Sequence, residues 1–72
     1  MIGTLWIAKS SVPLWQFNEI GYIIKIARID MGSLLLVTKD IMGESPLIHV
    51  IWNGIEGCIF YSDLKSFCTR IY

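Results

Sequence analysis

Seventy-two residues leave room for one domain, and 54% of them are apolar against 17% charged, where a typical soluble domain carries about 25% charged residues. Six basic and six acidic residues cancel to a formal net charge of zero and are dispersed, so the clustered cations that phosphate binding requires are not evident. Lys9, Glu19, Lys25, Asp30, Lys39, Glu44 and Glu56 interrupt every stretch that could approach the roughly 20 apolar residues of a membrane span; with no basic region before the apolar start, no signal peptide is expected and synthesis is expected in the cytoplasm.

The chain holds thirteen Ile, three Val and three Thr, whose branched side chains are stiff at χ1 and suit a pleated surface. No segment shows a sustained helical period between caps, so the reading is mainly β. A first strand is expected over residues 3–8, with Leu5 and Ile7 on one face and Trp6 and Ala8 on the other. Residues 9–19 read as a loop, because Pro13 has no N–H for a central strand and Ser10, Ser11 and Asn18 favour irregular backbone. A second strand over 21–29 sets Tyr22, Ile24 and Ile26 against Ile23, Lys25, Ala27 and Ile29, both faces largely apolar. Asp30-Met31-Gly32-Ser33 is the next turn, and a third strand covers 34–38.

A loop over 39–46 contains Asp40, Gly43, Glu44, Ser45 and Pro46. The strand over 47–52 alternates Ile48, Val50 and Trp52 with Leu47, His49 and Ile51, the first set facing the core. It runs into Asn53-Gly54-Ile55-Glu56-Gly57, a strong short-range hairpin signal, and a strand over 58–61. Ser62 and Asp63 are good N-cap types for one turn of 3₁₀ helix, with Leu64 plugging a barrel end. A last strand covers 67–72. Five or six short strands in one domain over residues 1–72 favour a small closed barrel or sandwich, and closing the sheet would remove edges that template aggregation.

The order of parts resembles the SH3-like small β-barrels, including their Tudor and KOW-type variants. The likeness rests on Gly3-Thr4-Leu5-Trp6, on Gly21-Tyr22-Ile23-Ile24-Lys25-Ile26 after the loop, and on Val50-Ile51-Trp52-Asn53-Gly54, Gly57 and Tyr61-Ser62-Asp63-Leu64. The chain is also similar to the very small SH3-like proteins of tailed bacteriophages. That resemblance implies an all-β SH3-like barrel with one 3₁₀ turn near the C-terminus, serving as a virion component or short adaptor.

Chemistry-bearing residues are few. His49, the one histidine, sits mid-strand, and its nearest polar neighbours in sequence are Glu44 and Ser45. Nothing in the sequence fixes either as an orienting carboxylate or nucleophile, so His49 reads as structural or interfacial. Cys58 and Cys68 read as small buried thiols. Together with His49 they lack the paired spacing of a zinc site. Asp30, Asp40, Glu44 and Asp63 suit turns and caps. Gly54 and Gly57 form a G-x-x-G string with no Lys-Ser/Thr or helix start after it, so it reads as a hairpin and not a phosphate loop. No catalytic residue, metal or cofactor is expected.

A core this small cannot shelter all of the apolar material, so a second surface is expected to be buried against other protein subunits or copies of the chain. The expected contact residues are Val12, Leu14, Trp15 and Phe17 in the first loop, Ile23 in the second strand, and Leu47, His49 and Ile51 in the fourth. The reading is a non-enzymatic interaction or assembly module. The alternative is a nucleic-acid-binding barrel in which Lys25, Arg28, Lys39 and Arg70 converge beside stacking aromatics.

Overall fold

In the computed structural model, which describes residues 2–39 and 46–72, the β-branched and aromatic runs form one antiparallel sheet of seven strands. In chain order these are β1 (Leu5–Ala8), β2 (Val12–Phe17), β3 (Ile23–Ile29), β4 (Leu34–Lys39), β5 (Leu47–Trp52) and β6 (Ile55–Phe60), then helix α1 (Tyr61–Phe67) and β7 (Cys68–Arg70). Across the sheet the order is β3-β2-β6-β5-β4-β1-β7. The all-β expectation holds. The expected loop residues Asp40, Gly43, Glu44 and Ser45 lie outside the described residues.

One face of the sheet carries the core. Trp6 and Ala8 from β1, Val12 and Leu14 from β2, Leu35 and Val37 from β4, Ile48 and Val50 from β5, and Ile59 from β6 are buried there, with Ile29 and Leu64. Each set is the alternate positions of its strand, as a two-residue side-chain period demands. Trp52 packs against this cluster, in line with its alternation with Ile48 and Val50. The indole N–H of Trp6 donates to Thr4 Oγ1 at 2.9 Å, which pairs two polar groups inside the core.

Asn53 and Gly54 form a two-residue turn between the paired residues Trp52 and Ile55. Both have positive φ, 53° and 76°, the combination of a type I′ turn whose twist matches the strands. The turn is shorter than the expected one over 53–57, because Ile55, Glu56 and Gly57 already pair with Trp52, Ile51 and Val50.

Three further expectations are corrected. Residues 9–19 are not a loop: they hold β2, which pairs along its length with β3. Its only ladder position with β6 is Trp15↔Cys58, so Pro13 has a strand neighbour on one side, Arg28, and a missing N–H is tolerated there. The sheet is not closed into a barrel, because the added β2–β3 hairpin extends it outward and the edge strands β3 and β7 do not pair with each other. The expected 3₁₀ turn is a seven-residue α-helix. Phe60 occupies its N-cap without a side-chain hydrogen bond, and Asp63 lies inside the first turn with Lys65 in the last, each where the helix dipole favours its charge.

Candidate interaction surface

Residues directly opposite on paired strands share a face. The registers therefore define what the sheet presents on the side away from the core. One row runs Leu5, Leu36, Ile51, Glu56 across β1, β4, β5 and β6. Beside it Ile7 pairs with Leu34. Leu34 is 50% exposed and Leu36 is 39% exposed, while Leu5, Ile7 and Ile51 are half-buried. These five form a contiguous apolar patch on a sheet whose other face is already filled.

A second row runs Lys25, Trp15, Cys58, His49, Lys39 across β3, β2, β6, β5 and β4. Its centre is closed. The Trp15 ring meets Phe60 edge-on, with centroids 5.7 Å apart at 79°. Cys58 is only 3% exposed, and its Sγ lies 3.6 Å from His49 Nδ1. Burial pushes the Cys58 thiol pKa up, so at neutral pH it is a neutral thiol beside an imidazole and not a thiolate nucleophile. The Trp15 indole N–H is buried and has no hydrogen-bond partner among the described residues. A side-chain bond from Gln16 Nε2 to Glu56 O, 2.6 Å, adds a second tie between β2 and β6.

The expected contact residues separate into two groups. Val12 and Leu14 are fully buried and Leu47 is nearly so, which corrects their placing at an interface: a side chain without exposed area offers nothing to a partner. In a loop Val12 and Leu14 would be free to face outward, but in β2 they alternate onto the core side, and Leu47 lies on the outer face yet is covered. Trp15, Ile23, His49 and Ile51 remain half-buried on the outer face, and Phe17 is exposed at the β2–β3 tip. Leu34 and Leu36 were missed. Their signal lies in Leu34-Leu35-Leu36-Val37, a continuous apolar run, which marks a strand with both faces to cover.

The four cations of the nucleic-acid alternative do not share one strand or one edge. Lys25 and Arg28 lie on β3, Lys39 ends β4, and Arg70 lies on β7 at the opposite edge of the sheet. Open hollows among the described residues include one of about 490 Å³ lined by Phe17, Asn18, Glu19 and Ile20 and another of about 390 Å³ lined by Asp30, Ser33, Leu34, Trp52 and Asn53. Neither brings an acid and a base together. No group of three or more His, Cys, Asp or Glu that could hold a metal ion occurs among the described residues. No described helix is long and apolar enough to cross a membrane.

Comparison with protein-family models, with curated proteins and with solved structures finds no match to this chain.

Cys68, the other free cysteine, is buried in the core between α1 and β1 pairing. Burial first, and the Asp63 carboxylate second, raise its pKa from 9.0 to about 11. The folded chain therefore holds this proton longer than the unfolded chain does. Stability from this group is full below pH 9.0 and falls as pH rises toward about 11. Urea melts of wild type and Cys68→Ala should diverge over that window, with the wild type losing about 2 kcal/mol more than the variant. Parallel curves would place the titrating group elsewhere.

Proposed function

We propose that this chain is a non-enzymatic protein–protein interaction or assembly module that associates with copies of itself through the outer sheet face. The carrying observation is that Leu34 and Leu36, flanked by Leu5, Ile7 and Ile51, remain uncovered on a sheet whose core side is already packed. Contiguous exposed apolar patches with a polar rim mark interaction sites. Here Lys39 and Glu56 stand at the rim, one of each sign, so a two-fold copy meets complementary charge. Zero net charge removes the repulsion that would hold copies apart.

The same reading takes the domain as an SH3-like small barrel. What supports it is the order of parts: a first strand, an inserted hairpin, the β4–β5–β6 meander, a short helix, and a last strand returning beside the first. The resemblance to small tailed-phage proteins supplies the setting, a virion component or adaptor made in the cytoplasm.

Sedimentation velocity over a concentration series tests the association. The wild type should form a discrete oligomer. The Leu34→Lys/Leu36→Lys variant should lose about 2 kcal/mol of association energy, roughly thirtyfold in Kd, because these positions centre the patch. Its folding should be little changed, since both side chains are at the surface. A wild-type chain that stays monomeric at about millimolar concentration would sink the reading.

A further inference from the structure

We infer that the open edge of β3 accepts an extended acidic segment of a different protein, added to the sheet as one further strand. This deepens the interaction-module reading and rests on it, but it uses a separate surface. β3 is seven residues long and is the outermost strand, paired with β2 alone. Its other edge presents unpaired backbone donors and acceptors, the template for strand addition.

The β-bulge decides the chemistry of that edge. Leu14 pairs with Ala27 and Trp15 with Lys25, which leaves Ile26 as the extra residue. Three positions apart, Lys25 and Arg28 would face opposite sides of a regular strand. With Ile26 bulged, their partners are Trp15 and Pro13, so both cations stand on the outer face. Ile24, Ala27 and Ile29 pair with Gln16, Leu14 and Val12 and stand on the other. The edge thus carries both cations beside Ile23 on the outer side, and exposed Ile24 with half-buried Ala27 on the other, where Ile29 is fully covered.

β2 and β3 contain no carboxylate, and neither Lys25 nor Arg28 has an ion-pair partner among the described residues. A second copy of β3 is a poor occupant, because self-pairing would bring four cations together without an anion. A strand that alternates acidic with apolar residues fits both faces at once. The edge is also held ready. Asn18 Oδ1 accepts from the backbone N–H of Ile20 and Tyr22 at 3.1 and 2.9 Å, and Asn18 N–H donates to Tyr22 O at 2.8 Å, which fixes the hairpin tip before any partner arrives. That tip exposes Phe17, Ile20 and Tyr22, apolar area next to the edge. Nucleic acid fits less well: two cations are few for a phosphate track, and the flanking side chains on the strand are aliphatic, isoleucines and Ala27, with no aromatic ring to stack on a base.

Fluorescence anisotropy with two labelled synthetic peptides, one alternating glutamate and valine and one alternating lysine and valine, provides the test. The wild type should bind the acidic peptide about tenfold more tightly, and Lys25→Glu/Arg28→Glu should reverse the preference. Lys25→Gln/Arg28→Gln should erase it, which covers the case in which the reversed variant folds poorly. Amide exchange should slow in Ile23–Ile29 of the wild type and not in Leu34–Lys39. The Leu34→Lys/Leu36→Lys variant should still bind the acidic peptide, so loss of self-association and loss of edge binding are separable. Equal affinities for the two peptides, protection outside β3, or displacement of the acidic peptide by oligothymidylate with a steep salt dependence would each overturn the inference.

Discussion

Gly57→Ala is expected to destabilise the fold by about 2–3 kcal/mol, and Gly57→Val to prevent folding. Gly57 lies inside β6, opposite Val50, with its missing side chain directed at the core. A Cβ there would stand 2.8 Å from Leu14 Cδ1 and Cγ and 2.9 Å from Trp15 O. Leu14 is fully buried and cannot swing aside, and the Trp15 carbonyl belongs to the backbone of β2. Gly57 is therefore the position that lets the β2–β3 hairpin lie against β6 where only Trp15↔Cys58 pairs them. A domain this small has about 5 kcal/mol to lose in total, so a loss of this size leaves a large unfolded fraction. Urea denaturation followed by circular dichroism measures it. A Leu14→Ala/Gly57→Ala pair should be less damaged than the sum of the single changes, since the first makes room for the second. A Gly57→Ala midpoint equal to wild type would show that Leu14 has space to yield.

Leu64→Ala is the second large effect, about 3 kcal/mol. Leu64 is the single buried residue of α1 and has no exposed area. Tyr61 adds a partly buried contact with the core, and backbone bonds tie the helix down: Tyr61 N–H donates to Pro46 O and Lys9 N–H to Phe67 O, both at 2.7 Å, while Cys68 N–H closes the last turn on Leu64 O. A seven-residue helix has little stability of its own, so removing its one fully buried side chain loosens it. β7 begins at Cys68, immediately after the helix, so its seat beside β1 loosens as well. Hydrogen exchange should quicken across α1 and β7 while β5 and β6 stay protected. Leu64→Met, which nearly conserves volume, should recover most of the loss. Uniform acceleration across the whole sheet would mean that the helix and sheet unfold as one unit.

The parts of this fold that were legible in the sequence are those set by local chemistry. β5 ends at Asn-Gly, so its bounds, its core face of Ile48 and Val50 and the presence of a hairpin could be read directly, while the length of the turn could not. The parts that were not legible depend on a partner strand. Val12-Pro13-Leu14 carries a strand breaker between two core residues, and it becomes a strand because β3 lies beside it and β6 touches it at one point. The bulge at Ile26 is a register shift, and register is a property of two chains of residues at once. It moves Arg28 to the face of Lys25, which no periodicity count on β3 alone would give. The interaction surface was legible as an excess of apolar residues; its location had to wait until Leu35 and Val37 were seen to take the core side and leave Leu34 and Leu36 outside.

The first strand is held in place by the last residues of the chain. Trp6 stands opposite Arg70, and Leu5 N–H donates to Tyr72 O while Ile71 N–H donates to Leu5 O. β1 and the segment from Cys68 to Tyr72 thus meet in one ladder, so a growing chain cannot complete this sheet until β7 has been made. The β4–β5–β6 meander can assemble from neighbours, but the β1–β7 pairing closes a far longer loop than the hairpins do, at a higher cost in entropy. Until then the N-terminal strand travels with a bare side.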